Sequence, residues 1–187
     1  MGLVYLIRHP APEIRPDTPA VEWTLSEVGY RQIHRLLQEP WWQDIKQLYS
    51  SIEAKALVVA TSASERFGIP YSSHSELAEL HRPADFVPDF RERIMQAFKT
   101  PEVAFLGGES IAAAQSRAWC FLQQVVGQGP LPSAVVSHGI VLSAVRALLL
   151  RRDFIDPLEW AQLPFCAVAE IDTDDWSIRQ DFASLSF

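Results

Sequence analysis

Close to the amino end, Leu3-Val4-Tyr5-Leu6-Ile7 is an unbroken apolar run that stops at a cation and an imidazole, Arg8-His9, and then at Pro10. Such a run is far too short to cross a membrane and suits a strand buried on both faces. Strands of this kind belong to open α/β sheets, which bind ligands outside the carboxyl ends of their strands. The run therefore constrains both the fold class and the place where chemistry can sit. A second run of the same design, Ala134-Val135-Val136-Ser137, ends on His138-Gly139 and leads into a strongly apolar helical pattern over 140–150. Two buried strands that each deliver a histidine at the carboxyl end point to one site.

Between these runs the chain reads as alternating strands and helices. Pro10, Pro12, Pro16 and Pro19 stiffen the loop 10–19 and exclude helix there. That loop is either a wall of the site or a plain connector. Thr24 or Ser26 caps the first helix, Glu27 suits its positive end, Ile33, Leu36 and Leu37 form its buried stripe, and Pro40 ends it. Trp41 and Trp42 are expected in the core. Residues 45–49 read as a strand, 50–67 as the next helix closed by Gly68, and 70–73 as a third strand. Phe86, Phe90, Ile94 and Phe98 predict a helix over 85–98. A Gly107-Gly108 turn precedes a helix over 110–126, ended by Gly127. Strands over 164–171 and 176–182 form a hairpin around a polar turn of Asp172, Thr173, Asp174 and Asp175.

With 187 residues, no internal repeat and no composition break, a single domain over 1–187 is expected. Sixteen basic against 23 acidic residues give a net charge of -7. That argues against nucleic acid as a partner while leaving room for a local basic pocket. No stretch reads as a membrane span or a secretory leader, so a cytoplasmic protein with no membrane partner is expected. Cys120 and Cys166 are isolated thiols without metal or redox spacing; both are expected to pack as small apolar groups.

Leu6-Ile7-Arg8-His9, with Val136-Ser137-His138-Gly139 far downstream, resembles the histidine phosphatase superfamily, the phosphoglycerate-mutase-like group. Leu25-Ser26-Glu27-Val28-Gly29-Tyr30-Arg31-Gln32 is similar to its Leu-Thr-x-x-Gly-x-x-Gln stretch. Ser50-Ser51-Ile52-Glu53-Ala54-Lys55-Ala56 follows the register of Ser-Ser-Pro-x-x-Arg-Ala. Leu77-Ala78-Glu79 fits a Leu-x-Glu setting, and Gly107-Gly108-Glu109-Ser110 resembles Gly-Gly-Glu-Ser. The resemblance implies a single-domain three-layer α/β sandwich with a mostly parallel central sheet and helices on both faces. It also implies a phosphomonoester hydrolase that needs no metal or cofactor, works through a phosphohistidine and acts on a small phosphorylated metabolite. His9 would be the nucleophile, attacking as neutral imidazole. Arg8 would grip two phosphate oxygens with its fork. Lys55 and a protonated His138 would add positive charge. Glu79 would protonate the leaving oxygen and then activate water, provided that desolvation keeps it protonated. Glu76, three residues earlier, is the competing carboxylate. His81 and Arg82 are either entrance or surface, and Arg117 is structural or at the rim.

Three departures alter the expected pocket. Pro10 stands where the family has glycine, which removes a backbone donor. Lys55 stands for arginine, a point charge for a bidentate fork. The family's asparagine in the first loop is missing, and Arg15 falls near its place as a substitute phosphate ligand. A mutase is disfavoured, because 187 residues leave little room for the insertions that retain a phosphoryl group. The alternatives are a phosphoprotein (phosphohistidine) phosphatase and a non-catalytic phospho-ligand-binding or interaction module. Retention of His9 together with Glu79 argues against the latter, since binding alone needs no nucleophile with an acid.

Overall fold

The first apolar run is β1 (Leu3–Arg8), and its burial explains its composition: Val4, Tyr5, Leu6 and Ile7 are all buried. The computed structural model describes residues 2–83 and 87–184. β1 lies inside a six-stranded sheet of order β3-β2-β4-β1-β5-β6, whose other strands are β2 (Gln47–Ser51), β3 (Tyr71–His74), β4 (Ser133–Ser137), β5 (Val168–Asp172) and β6 (Ile178–Ala183). The pairs β1–β4, β4–β2 and β2–β3 are parallel, and β5 runs antiparallel to both of its neighbours. The sheet is thus mostly parallel, as expected.

Successive side chains of β1 serve opposite faces, as the strand period requires. Val4 and Leu6, with Val135 of β4, pack beneath α4 (Ile111–Gln128) and α5 (Gly139–Leu149). Tyr5 and Ile7, with Ala134 and Val136, pack beneath α1 (Glu27–Leu36) and α2 (Ala54–Phe67). Helices on both faces of the sheet make the three-layer α/β sandwich. In α5, Gly139 to Val145 are buried without exception, so its pattern is apolar all round rather than amphipathic. Trp42 is wholly buried and donates from Nε1 to the Leu36 carbonyl at 2.8 Å, while Trp41 stacks on Tyr5 with ring centroids 4.4 Å apart. Both tryptophans belong to the core region, as expected. Ser26, not Thr24, caps α1 by accepting from the Gly29 amide.

Several boundaries differ from the sequence reading. α3 is Phe90–Ala97 and does not start at 85, because Asp89 adopts a left-handed conformation (φ 57°) just after Pro88. Ile94 and Phe98 are buried as expected, and Asp85 and Phe86 lie outside the described residues. α4 runs through Gly127 to Gln128, since packing of its apolar face outweighs the roughly 1 kcal/mol cost of one helical glycine. A short helix, α6 (Pro157–Gln162), was not anticipated; Asp156 caps it by accepting from the Leu158 and Glu159 amides, and Pro157 opens it. β3 and the closing hairpin lie within a few residues of their expected places. Cys166 is buried, with its thiol pushed up to about 12 by desolvation, but Cys120 is exposed on α4 and does not pack as an apolar group. Among the described residues, no helix is long and apolar enough to cross a membrane.

Candidate active site

The register of two adjacent parallel strands brings the two histidines together. Arg8 pairs with Ser137 across β1 and β4, so His9 and His138 leave neighbouring strands side by side. Their ring centroids are 5.0 Å apart. The His9 amide donates to the Ser137 carbonyl at 3.0 Å, and its carbonyl accepts from the Cys166 amide at 3.2 Å, which fixes the backbone beneath the ring. His9 is 4 % exposed. Burial, reinforced by His138, Lys55 and Arg8, holds its pKa well below the ordinary histidine value. In that neutral ring, Nδ1 donates to the Pro10 carbonyl at 2.7 Å, which leaves Nε2 with a free lone pair. Pro10 thus lacks an amide donor but supplies the acceptor that selects the tautomer.

Arg8 lies over the Phe165 ring, 4.1 Å from its centroid, and donates to the Leu163 carbonyl. Gly139 makes room for it: a Cβ there would stand 3.1 Å from the guanidinium carbon. Burial lowers the Arg8 pKa to about 10, with Glu79 acting against that shift, so the side chain stays charged at neutral pH. His138 is fully buried, with Nε2 2.7 Å from the Ser51 hydroxyl and 3.4 Å from Glu53 Oε1. Burial first, then Lys55 and nearby arginines, hold it well below the usual value. In the free protein this favours the neutral ring, while the protonated His138 that the resemblance implies is one that faces a bound phosphate dianion. Among the described residues, Arg8 Nε, His138 Nδ1 and the indole Nε1 of Trp160 are buried side-chain nitrogens without a partner. Unpartnered buried polar atoms beside a histidine mark a place for an oxygen-rich ligand.

Lys55, near the start of α2, is buried and donates to the Ala20 carbonyl at 2.7 Å and to Glu53 at 2.5 Å. Glu53 is a site residue that sequence reasoning missed. Its other oxygen accepts from the Glu79 amide at 2.7 Å, so one carboxylate links Lys55, His138 and the Glu79 segment. Glu79 accepts from the Ile140 amide at 3.1 Å, the Val141 amide at 3.3 Å and its neighbour Leu80 at 3.0 Å. These amides at the α5 amino end favour a carboxylate, yet burial, with the charge of Glu53, raises the Glu79 pKa overall. Glu79 lines the same cavity as Arg8, His9 and Lys55. Glu76 is exposed, and its side chain accepts from the Ser75 hydroxyl at 3.2 Å. Arg15 is also exposed, pairs with Glu13 at 2.9 Å, and is not brought to the cavity.

The Glu79 segment is held from behind. Arg117 forms a two-pronged pair with Glu109 at 2.8 and 2.9 Å and donates to the carbonyls of Glu76 and Glu79. Burial would raise Glu109, but the hydrogen bonds from Arg117 prevail and hold it below the usual carboxylate range. The Ser137 hydroxyl donates to the Leu77 carbonyl at 2.7 Å. Gly108 must be glycine here, since a Cβ would come within 2.2 Å of the His81 carbonyl. Residues of the 10–19 loop, together with His81 and Arg82, line the cavity, which resolves both open readings in favour of the site wall. Among the described residues, no group of three His, Cys, Asp or Glu side chains is placed to hold a metal ion.

His9 with its free nitrogen, Arg8, Lys55 and Glu79 with its raised pKa line one cavity, with His138 buried beside His9, a set suited to handling a phosphoryl group. Residues 4–182 match the model of the histidine phosphatase superfamily (branch 1), and the chain belongs to that family. It is a phosphatase of the histidine phosphatase type. Among solved structures, it is similar to mycobacterial glucosyl-3-phosphoglycerate phosphatase in complex with inorganic phosphate (TM-score 0.76, 18% identity, covering 100% of this chain and 98% of that one). It is likewise similar to YhfR of Bacillus stearothermophilus (TM-score 0.76, 20% identity, 99% and 98% covered). A third likeness is to a mutant phosphoserine phosphatase from Entamoeba histolytica in complex with phosphoserine (TM-score 0.74, 17% identity, 100% and 98% covered). No curated protein matches the sequence.

Proposed function

We propose that the protein hydrolyses a small phosphorylated metabolite, without a metal, through a phosphohistidine on His9. The observation that carries this reading is the His9 tautomer. Nδ1 is occupied by the Pro10 carbonyl in a ring that burial keeps neutral, so Nε2 is the nitrogen left to attack. In the first step Nε2 bonds to phosphorus as the ester P–O bond breaks, and protonated Glu79 gives its proton to the departing oxygen. In the second step the Glu79 carboxylate takes a proton from water. The water oxygen bonds to phosphorus, the N–P bond breaks, and phosphate leaves. Arg8 and His138 take the non-bridging oxygens through the nitrogens that have no protein partner, and Lys55 adds charge nearby. A bound dianion favours protonation of His138, which supplies the charge that its burial withholds in the free protein. Arg15 takes no part. The mycobacterial phosphatase and the phosphoserine phosphatase with this fold act on small phosphorylated compounds by their names, which supports the substrate class.

Steady-state hydrolysis of p-nitrophenyl phosphate by the parent and His9→Ala tests the reading. The variant is expected to lose at least about a thousandfold in kcat, the scale on which a covalent nucleophile contributes. Parent-like turnover by His9→Ala would remove His9 as the nucleophile.

A further inference from the structure

Arg8, His9, Lys55 and Glu79 are a minor part of the lining of a cavity of about 850 Å³, far more than a phosphoryl group with a three-carbon acid requires. The remaining walls are largely apolar, with Glu22, His81 and Arg82 among them. Ile14, Val21 and Ile52 line the cavity and are 61%, 55% and 50% exposed, unusual values for branched aliphatic side chains on one face. Trp23, Phe90 and Trp160 add aromatic surface to the same lining. The Pro-rich loop that carries Ile14 is fastened to the fold by hydrogen bonds from Glu13 to Thr24 and between Ser26 and Ala11, so this surface is built in.

The charges of the cavity lead to the same conclusion. Lys55 is already paired with buried Glu53 at 2.5 Å, so of the two fixed cations beside His9 only Arg8 lacks a carboxylate partner. That leaves one fixed cation without a carboxylate partner beside His9 for the phosphoryl group. Among the described residues, the further lysine or arginine in the lining is Arg82, whose guanidinium lies over the Phe90 ring at 4.6 Å and whose stem extends the apolar wall.

We infer that the substrate, within the phosphatase reading above, is the phosphate monoester of an apolar alcohol or phenol bearing no second acidic group, whose hydrocarbon part lies against Ile14, Val21 and Ile52. The site would then discriminate through burial of the leaving group, and carboxylated phosphate esters would be poor substrates.

The test is kcat/KM for straight-chain alkyl phosphates from propyl to octyl, whose leaving-group chemistry is nearly constant, with phosphoserine and 3-phosphoglycerate as acidic probes. The expected result is a rise of up to about fourfold per methylene until the cavity is filled, with octyl phosphate at least about a hundredfold better than either acidic probe. Ile14→Asp combined with Val21→Asp is expected to flatten the octyl-to-propyl ratio measured within that variant. A flat or falling series in the parent, alongside normal hydrolysis of p-nitrophenyl phosphate, would overturn this inference and leave the phosphatase reading intact. So would a preference for phosphoserine that disappears in Arg82→Ala. Failure to hydrolyse any ester, p-nitrophenyl phosphate included, would overturn both.

Discussion

At His9 the proposed chemistry rests on which ring nitrogen is bare, and the protonation of Glu79 must suit it. Burial keeps His9 below its ordinary pKa, so its neutral form is complete at mildly acidic pH; burial keeps Glu79 above its own, so its proton is retained to higher pH. Activity governed by these two groups is highest on the acid side of neutral and falls as pH rises and Glu79 ionises, which a kcat/KM profile on p-nitrophenyl phosphate reads directly. Glu53 sharpens the test. Its charge adds to the raised pKa of Glu79 and engages Lys55. In Glu53→Gln the alkaline limb moves to lower pH, and inhibition by inorganic phosphate tightens by about tenfold, as expected when one negative charge leaves a partly desolvated anion site. An unmoved limb with unchanged phosphate inhibition would make Glu53 merely structural. Arg8, His9 and His138 were legible because each ends a buried strand. Glu53 was not, since a glutamate at a helix start reads equally well as a partner of the helix dipole. Phe165, which packs on both Arg8 and His9, gave no signal because a phenylalanine in the strand expected over 164–171 reads as core.

At the scale of elements, the site depends on how α4 grips the segment carrying Glu79. Arg117→Ala breaks four hydrogen bonds to Glu109, Glu76 and Glu79 while leaving Glu109 partly buried. Such a change costs about 2–3 kcal/mol of stability, measurable by urea unfolding. It should also slow esters with poor leaving groups more than p-nitrophenyl phosphate, because the former depend on a positioned acid. Equal losses on both would confine Arg117 to stability. Gly108→Ala forces a Cβ against the His81 carbonyl and is expected to cost about 1–3 kcal/mol through the same segment. Elements with strong periodicity or clear caps were legible: β1, β4, α1 and α5 stand where expected, whereas β2 extends through Ser51 and α2 starts at Ala54 rather than at 50. Those that failed did so for local reasons. Asp89 enters the left-handed region and delays α3, packing carries α4 through Gly127, and α6 is too short to show a period. The link between Glu109 and Arg117 joins residues of known sequence, but only the approach of α4 to the 75–79 segment makes it visible.

For the whole molecule, two buried neutral histidines make stability depend on pH. His9 and His138 have folded-state pKa values below that of the unfolded chain, so their contribution is complete above pH ~6.5 and is lost as pH falls through the lowered values. Glu79 acts with the opposite sign, because its raised pKa costs stability as pH rises. Two histidines against one carboxyl leave roughly one net proton, a loss of about 1.4 kcal/mol per pH unit below pH ~6.5. Urea unfolding at pH ~7 and ~5.5 tests this; His138→Gln should nearly flatten the slope, and an unchanged slope would mean that His138 is charged in the fold. The α/β architecture was legible as a whole because continuous apolar runs specify a parallel sheet covered on both faces. The large apolar cavity was not, because its walls come from distant loops and helices that converge only in three dimensions. The central claim, a phosphoryl group carried on His9, is tested most directly by quenching the parent during turnover of p-nitrophenyl phosphate and mapping the phosphorylated residue by mass spectrometry under alkaline conditions that preserve a phosphohistidine. The account predicts one phosphoryl group on the His9 peptide, labile to acid and absent from His9→Ala. Turnover with no phosphoenzyme in a quench faster than a single catalytic cycle, or a phosphoryl group on another residue, would contradict it.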